Sequence, residues 1–213
     1  MPADAMKLTE QARIFLETER MTLRRLTPAD TENLVTLESD PDVMRFLGNG
    51  QPTPRLVIER GTLPRMLGCY EKLGGLGYWA AESNHDGEFL GWFELRPHGH
   101  GPSDDVELGY RLRSRIWGRG YATEGAAAVI AKGFREFGVR RVFATTMAVN
   151  VPSRRVLEKC GMRWIRTYYD DTPAEVPGAE HGDVEYELFH EEWQRAQPAR
   201  HRKSRARHRK RSG

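Results

Sequence analysis

From Trp117 to Thr123 the chain reads Trp-Gly-Arg-Gly-Tyr-Ala-Thr, with Gly118 and Gly120 two apart beside Arg119. Before it, Val106 to Leu112 shows the loose apolar–polar alternation of a strand. After it comes an alanine-rich segment with Phe134 and Phe137 three apart, which reads as a helix. A strand that passes through glycines into a helix leaves backbone N–H groups without partners at the positive end of the helix dipole. That arrangement takes a phosphate or pyrophosphate. Glycine lacks Cβ, so the anion can come close to the backbone. Two other phosphate motifs are excluded. No Gly-x-x-x-x-Gly-Lys-Ser/Thr occurs, and Gly118-x-Gly120-x-Ala122 departs from the dinucleotide fingerprint.

A second block, Asn150-Val-Pro-Ser-Arg-Arg-Val-Leu-Glu-Lys-Cys-Gly161-Met162, follows a β-rich run over Val142 to Met147. Asn150 suits a helix N-cap, Pro152 the first turn and Gly161 the C-terminal stop. The two blocks together resemble the GCN5-related N-acetyltransferase (GNAT) superfamily. The first is similar to its acyl-CoA loop, and the second to its Asn-x-x-Ser-x-x-Val-x-Glu-Lys-x-Gly-Phe motif. The wording ELGYRL…WGRGYATEG is most similar to the RimJ/RimL-like branch, which acetylates ribosomal-protein N termini. The resemblance covers roughly Arg20 to Phe189, and its specific part is confined to the two blocks.

The resemblance implies an α/β (α+β) fold: a mixed, mostly antiparallel sheet with helices on both faces and one splayed pair of parallel strands, at Val106 and Val142. Acetyl-CoA is the implied co-substrate, with no metal. Its pantetheine arm would lie in the splay, against the backbone of Tyr110, Arg111 and Leu112, with Asn150 and Ser153 nearby. Its pyrophosphate would lie on Trp117, Gly118, Arg119, Gly120, Tyr121 and Ala122, with Thr123 adding a contact and Arg115 and Arg119 adding charge.

Acetyl transfer to an amine needs a proton acceptor, a donor to the tetrahedral oxyanion, and optionally an acid for the thiolate. Glu107, on the strand that would splay, is the first candidate for the base; it reads equally as a strand glutamate making structural hydrogen bonds. Glu94 and His98 are the alternatives. A backbone N–H near Leu112 suffices for the oxyanion. Many family members place a tyrosine acid after the Asn motif, and this chain has none there. Ser153 is the polar group left, and it also reads as an ordinary residue of a first helical turn.

The implied activity is acetyl transfer from acetyl-CoA to a primary amine, by direct attack in a ternary complex. The acceptor is a protein N-terminal α-amine or a small amine. The alternatives are an aminoglycoside-type drug acetyltransferase and a non-catalytic acyl-CoA-binding module tethered to nucleic acid or a ribosome.

Composition sets the outer bounds. The 213 residues suit one domain, here residues 20–196, with an extension over 1–19 and a basic tail over 197–213. That tail holds eight Lys and Arg and no acid, which leaves the rest of the chain at −5 against an overall +3. It has no apolar periodicity, so the expectation is a solvated arm with weak affinity for RNA or other polyanions. Nothing in Met1 to Arg20 resembles a secretory signal and no apolar run is long enough to cross a membrane, so a cytoplasmic location is expected. A monomer and a homodimer both fit. Cys69 and Cys160 are far apart, and His98 and His100 have no third ligand in sequence, so neither a disulfide nor a metal is expected. Helix signals fall over 27–37 and, interrupted by Gly61 and Pro64, over 54–73. Hairpin strands fall over 77–82 and 88–95, and late strands over 164–169 and 184–189. The acidic loop between those late strands is the expected lip of the site.

Overall fold

The computed structural model describes residues 14–97, 104–169 and 176–197. The expected basic tail from Pro198, the two histidines His98 and His100 and the acidic residues Asp170 to Glu175 lie outside the described residues.

Eight strands form one sheet among these residues: β1 (Ile14–Glu17), β2 (Met21–Arg25), β3 (Gly77–Ser83), β4 (Phe89–Pro97), β5 (Asp105–Leu112), β6 (Arg141–Met147), β7 (Arg163–Tyr168) and β8 (Asp183–Phe189). Their order is β1-β2-β3-β4-β5-β6-β8-β7. Every neighbouring pair is antiparallel except β5 and β6. The two late strands pair antiparallel, and β8 enters between β6 and β7 so that β7 lies at the edge. Ile14–Glu17, inside the expected 1–19 extension, forms the opposite edge strand against β2.

Period-2 alternation gives the sheet two different faces. On β4, Phe93 and Leu95 join the larger core with Val106, Leu108 and Leu112 of β5. The helix Tyr121–Glu136 supplies Ala126, Val129, Ile130 and Phe134 to it, and the helix Val151–Lys159 supplies Leu157. Gly125 and Gly133 let the longer helix lie close: an added Cβ would meet Phe93 Cζ at 2.2 Å and Leu95 Cδ2 at 2.5 Å. Trp92 faces the other way, into a second core with Leu34, Leu37, Ile58, Met66 and Tyr78.

Helices of the β2–β3 connection cover that second face. The expected helix over 27–37 is a 3₁₀ turn at Pro28–Asp30 running into Thr31–Glu38. The expected interrupted helix over 54–73 is one α turn (Arg55–Val57), a π segment (Ile58–Thr62) and the helix Leu63–Lys72. Pro64 has no N–H to donate back into the preceding turn, and the ladder widens just before it. A short last helix, His190–Ala196, continues from β8. No helix among the described residues is long and apolar enough to cross a membrane.

Candidate active site

The parallel pairing of β5 and β6 is short. It aligns Asp105 with Arg141, Val106 with Val142 and Glu107 with Phe143, and ends there among the described residues. Beyond that point β5 continues to Leu112 paired with β4, and β6 continues to Met147 paired with β8. The strands therefore open a wedge just after Glu107, with Gly109 to Leu112 on one side and Ala144 to Met147 on the other. Backbone groups along such a wedge need partners from outside the sheet.

At the end of β5 the chain turns through Ser114–Ile116 into the glycine loop. The Trp117 indole N–H donates to the Leu112 carbonyl at 2.9 Å and holds the loop to the strand end. Gly118 (φ 73°) and Gly120 (φ 86°) both take left-handed conformations, and Gly120 is the N-cap of the Tyr121–Glu136 helix. The first bond of the helix runs from the Glu124 N–H to the Gly120 carbonyl at 3.0 Å. The N–H groups of Tyr121, Ala122 and Thr123 thus precede any intrahelical acceptor, at the positive end of a helix of 16 residues. An added Cβ on Gly118 would meet nothing within 4 Å, so the loop stands open. Arg119 is exposed, whereas Arg115 is tied to Glu88. The Thr123 carbonyl lies 3.7 Å from the Cys160 thiol.

On the face toward this helix, the Tyr110 hydroxyl and Ser153 Oγ are 2.9 Å apart. Tyr110 lies beyond the last β5–β6 pair, and Ser153 is in the first turn of the helix that follows β6, so the bond spans the wedge. Burial pushes the Tyr110 phenol well above its usual range, against a smaller opposing pull from Ser153. Asn150 caps the same helix: its Oδ1 accepts from the Ser153 N–H at 3.3 Å, and its Nδ2 donates to Thr146 Oγ1 at 3.1 Å. The family pattern points for the acid only to residues after the Asn motif, and the structure adds the Tyr110 hydroxyl as a second group beside Ser153. The signal was present in the sequence, two residues before Leu112.

On the opposite face lie the carboxylates. Glu94 is buried at 8 % exposure, and burial pushes its carboxyl up against the pull of Arg96, whose Nε is 2.6 Å away. It lies directly over Gly109, where an added Cβ would meet Glu94 Oε1 at 2.3 Å. Arg96 reaches on to Glu107 Oε2 at 3.1 Å, so one guanidinium joins the two candidate bases. From the helical side, Arg65 donates to the Tyr78 hydroxyl at 3.0 Å. Arg111, on the same face, pairs with Glu38 at 2.6 Å and stacks over Trp92. Its guanidinium is committed there, and only its backbone borders the wedge. Glu107 also lines a cavity of about 430 Å³ with Asp105, Phe143, Thr145, Tyr168 and Glu185. The structure thus brings Glu107 and Ser153 to one wedge but to opposite faces of it.

Residues 20–163 match the family described as an acetyltransferase (GNAT) domain. The chain belongs to the GNAT family. It is 34% identical over 197 residues to an Aspergillus fumigatus protein named FsC-acetyl coenzyme A-N(2)-transacetylase, covering 89% of this chain and 82% of that one. Among solved structures, a GNAT-family acetyltransferase from Bacillus anthracis aligns with a TM-score of 0.69 and 23% identity, covering 84% of this chain and 99% of that one. A RimL ribosomal L7/L12 α-N-protein acetyltransferase in complex with coenzyme A aligns with a TM-score of 0.70 and 15% identity, covering 83% and 97%. The protein is an acetyl-CoA-dependent acetyltransferase, which removes the non-catalytic binding module from consideration. The RimL structure shares the fold of this chain.

Proposed function

We propose that this GNAT protein acetylates the primary amine of a small molecule, by direct attack on acetyl-CoA in a ternary complex. The observation that carries the reading is the wedge itself. A glycine loop and helix N-terminus lie at one end of it, a carboxylate and an open cavity on one face, and a hydroxyl pair on the other. The small-molecule acceptor is supported by the relative named for an N(2) acceptor, similar along most of both chains. The RimL neighbour, at 15% identity, supports the fold alone.

In this reading the pyrophosphate lies on the N–H groups of Gly118 to Ala122, with Thr123 beside them. The pantetheine arm enters the wedge against the backbone of Tyr110 to Leu112, with Asn150 on the far side. The acceptor enters through the cavity beside Phe143 and Tyr168. Glu107 receives the ammonium proton, directly or through one water, and the neutral amine attacks the thioester carbonyl. A backbone N–H near Leu112 donates to the oxyanion. As the thiolate departs, a proton passes from the Tyr110 phenol through the Ser153 hydroxyl to the sulfur, and the proton that the attacking nitrogen then sheds returns through solvent to reprotonate the phenol. Arg96 fixes the orientation of the Glu107 carboxylate while Glu94 anchors the other end of the guanidinium.

The test is free-thiol release from acetyl-CoA against a panel of small amines, polyamines, aminoglycosides and N-terminal peptides. Rapid turnover confined to small amines supports the reading. Turnover confined to peptides replaces the acceptor with a protein N terminus.

A further inference from the structure

Arg20 and Glu124 lie 104 residues apart and meet at the glycine loop. The Arg20 backbone N–H donates to Glu124 Oε1 at 3.0 Å and its Nε to Oε2 at 2.6 Å, with Nη2 also at 2.6 Å from Oε2. This clamp holds the guanidinium 4.3 Å from the centre of the Tyr121 ring. From there Nη1 donates to the Arg119 carbonyl at 2.8 Å, and Nη2 would lie 3.4 Å from a Cβ on Gly120. Burial alone would push the Glu124 carboxyl up, but hydrogen bonds from Thr18 and Arg20 outweigh it and hold the group below its usual range.

The Arg119 carbonyl and the Gly120 N–H belong to one planar, trans peptide, so they point in opposite directions. Anchoring the carbonyl to Arg20 turns the Gly120 N–H away from Arg20, toward the other side of the loop. Gly120, at φ 86°, has the conformational freedom to flip this peptide if the anchor is lost. We infer that Arg20, held by Glu124, is a positioning residue for acetyl-CoA: it fixes the Arg119–Gly120 peptide so that its N–H joins the pyrophosphate cradle. The inference rests on the pyrophosphate reading of the loop. It gives the turn between β1 and β2 a part in cofactor affinity that no contact with the reacting atoms would reveal.

The test measures dissociation constants by calorimetry for CoA and for pantetheine, which has the same arm and no phosphate. The proteins are the wild type, Arg20→Ala, Arg20→Lys and Glu124→Gln, each with its Tm. The expected result is about tenfold weaker CoA binding in Arg20→Ala, the size of one charge-assisted hydrogen bond, with pantetheine binding unchanged. Glu124→Gln should show a smaller loss of the same selectivity. Arg20→Lys keeps the charge but not the fork, and should recover little. Equal losses for both ligands would mark Arg20 as merely structural and overturn the inference, as would unchanged CoA binding in Arg20→Ala. If wild-type protein bound CoA no better than pantetheine, the loop reading would fall first, and this inference with it.

Discussion

The hydroxyls of Tyr110 and Ser153 lie 2.9 Å apart, joining β5 to the first turn of the helix after β6 across the wedge where the two strands part. Because burial pushes the phenol above its usual range, it stays protonated throughout the neutral and mildly alkaline region. Tyr110→Phe and Ser153→Ala should each lower kcat about a hundredfold, at the low end of what a positioned proton donor contributes, with CoA affinity unchanged. Two groups acting as a unit are not additive, so the double variant should be no slower than the slower single one. Steady-state thiol release with calorimetric CoA binding checks this. Fully additive losses would separate the two hydroxyls.

Glu107 is the last residue of β5 with a β6 partner, so it stands at the mouth of the wedge with Arg96 on its carboxylate. Glu107→Gln keeps the shape and removes the proton acceptor. It should lower kcat/KM by roughly 10²–10⁴, with the CoA dissociation constant within about twofold of wild type. Glu94→Gln, one step deeper along the same Arg96 bridge, should cost less activity. If Glu94→Gln proves the more damaging, the roles of the two carboxylates are reversed.

The site was legible in sequence where chemistry follows local order. The glycine loop, its helix and the Asn150 cap are all read from neighbours in the chain, and the structure places them at one wedge. Seven of the strands were legible, six from the runs described above and Met21–Arg25 from the alternation in Arg20 to Leu26, but Ile14–Glu17 was not, because four residues beside a polar segment give too short a pattern. Nor was the π segment at Ile58–Thr62 distinguishable from a simple kink at Pro64. What sequence could not give is long-range pairing: Arg96 bridging Glu94 to Glu107, Tyr110 meeting Ser153, and Arg20 meeting Glu124. Each depends on sheet register and on how closely a helix lies against its strand.

That closeness is itself testable at Gly125. In an exposed helix, Gly→Ala stabilises by up to about 1 kcal/mol. Here the added Cβ would meet Phe93 Cζ at 2.2 Å, inside the core between the Tyr121–Glu136 helix and β4. Gly125→Ala should instead destabilise by about 1–3 kcal/mol, as overpacking does, and weaken CoA binding by tilting the loop that begins the helix. Urea unfolding measures the first effect and calorimetry the second. A stabilised variant would show that the ring yields without cost.

The second face has its own buried ion pair. Arg24 holds Asp30 through two bonds of 2.9 and 2.8 Å, and the Asp30 side chain is 2 % exposed. Burial alone would raise the Asp30 carboxyl, yet the bonds from Arg24 and the Thr27 N–H outweigh it and hold the group below its usual range. A depressed carboxyl contributes stability that is present above its unfolded value, near pH 4, and lost as pH falls through the folded one. Arg24→Met leaves that carboxylate buried without its cation and should cost about 3–5 kcal/mol at pH 7. Protonation then relieves the variant, so its deficit against wild type should shrink between pH 7 and pH 4. Urea unfolding at the two pH values decides it: a deficit that stays constant would mean the loss comes from packing of the Arg24 stem, not from the charge on Asp30.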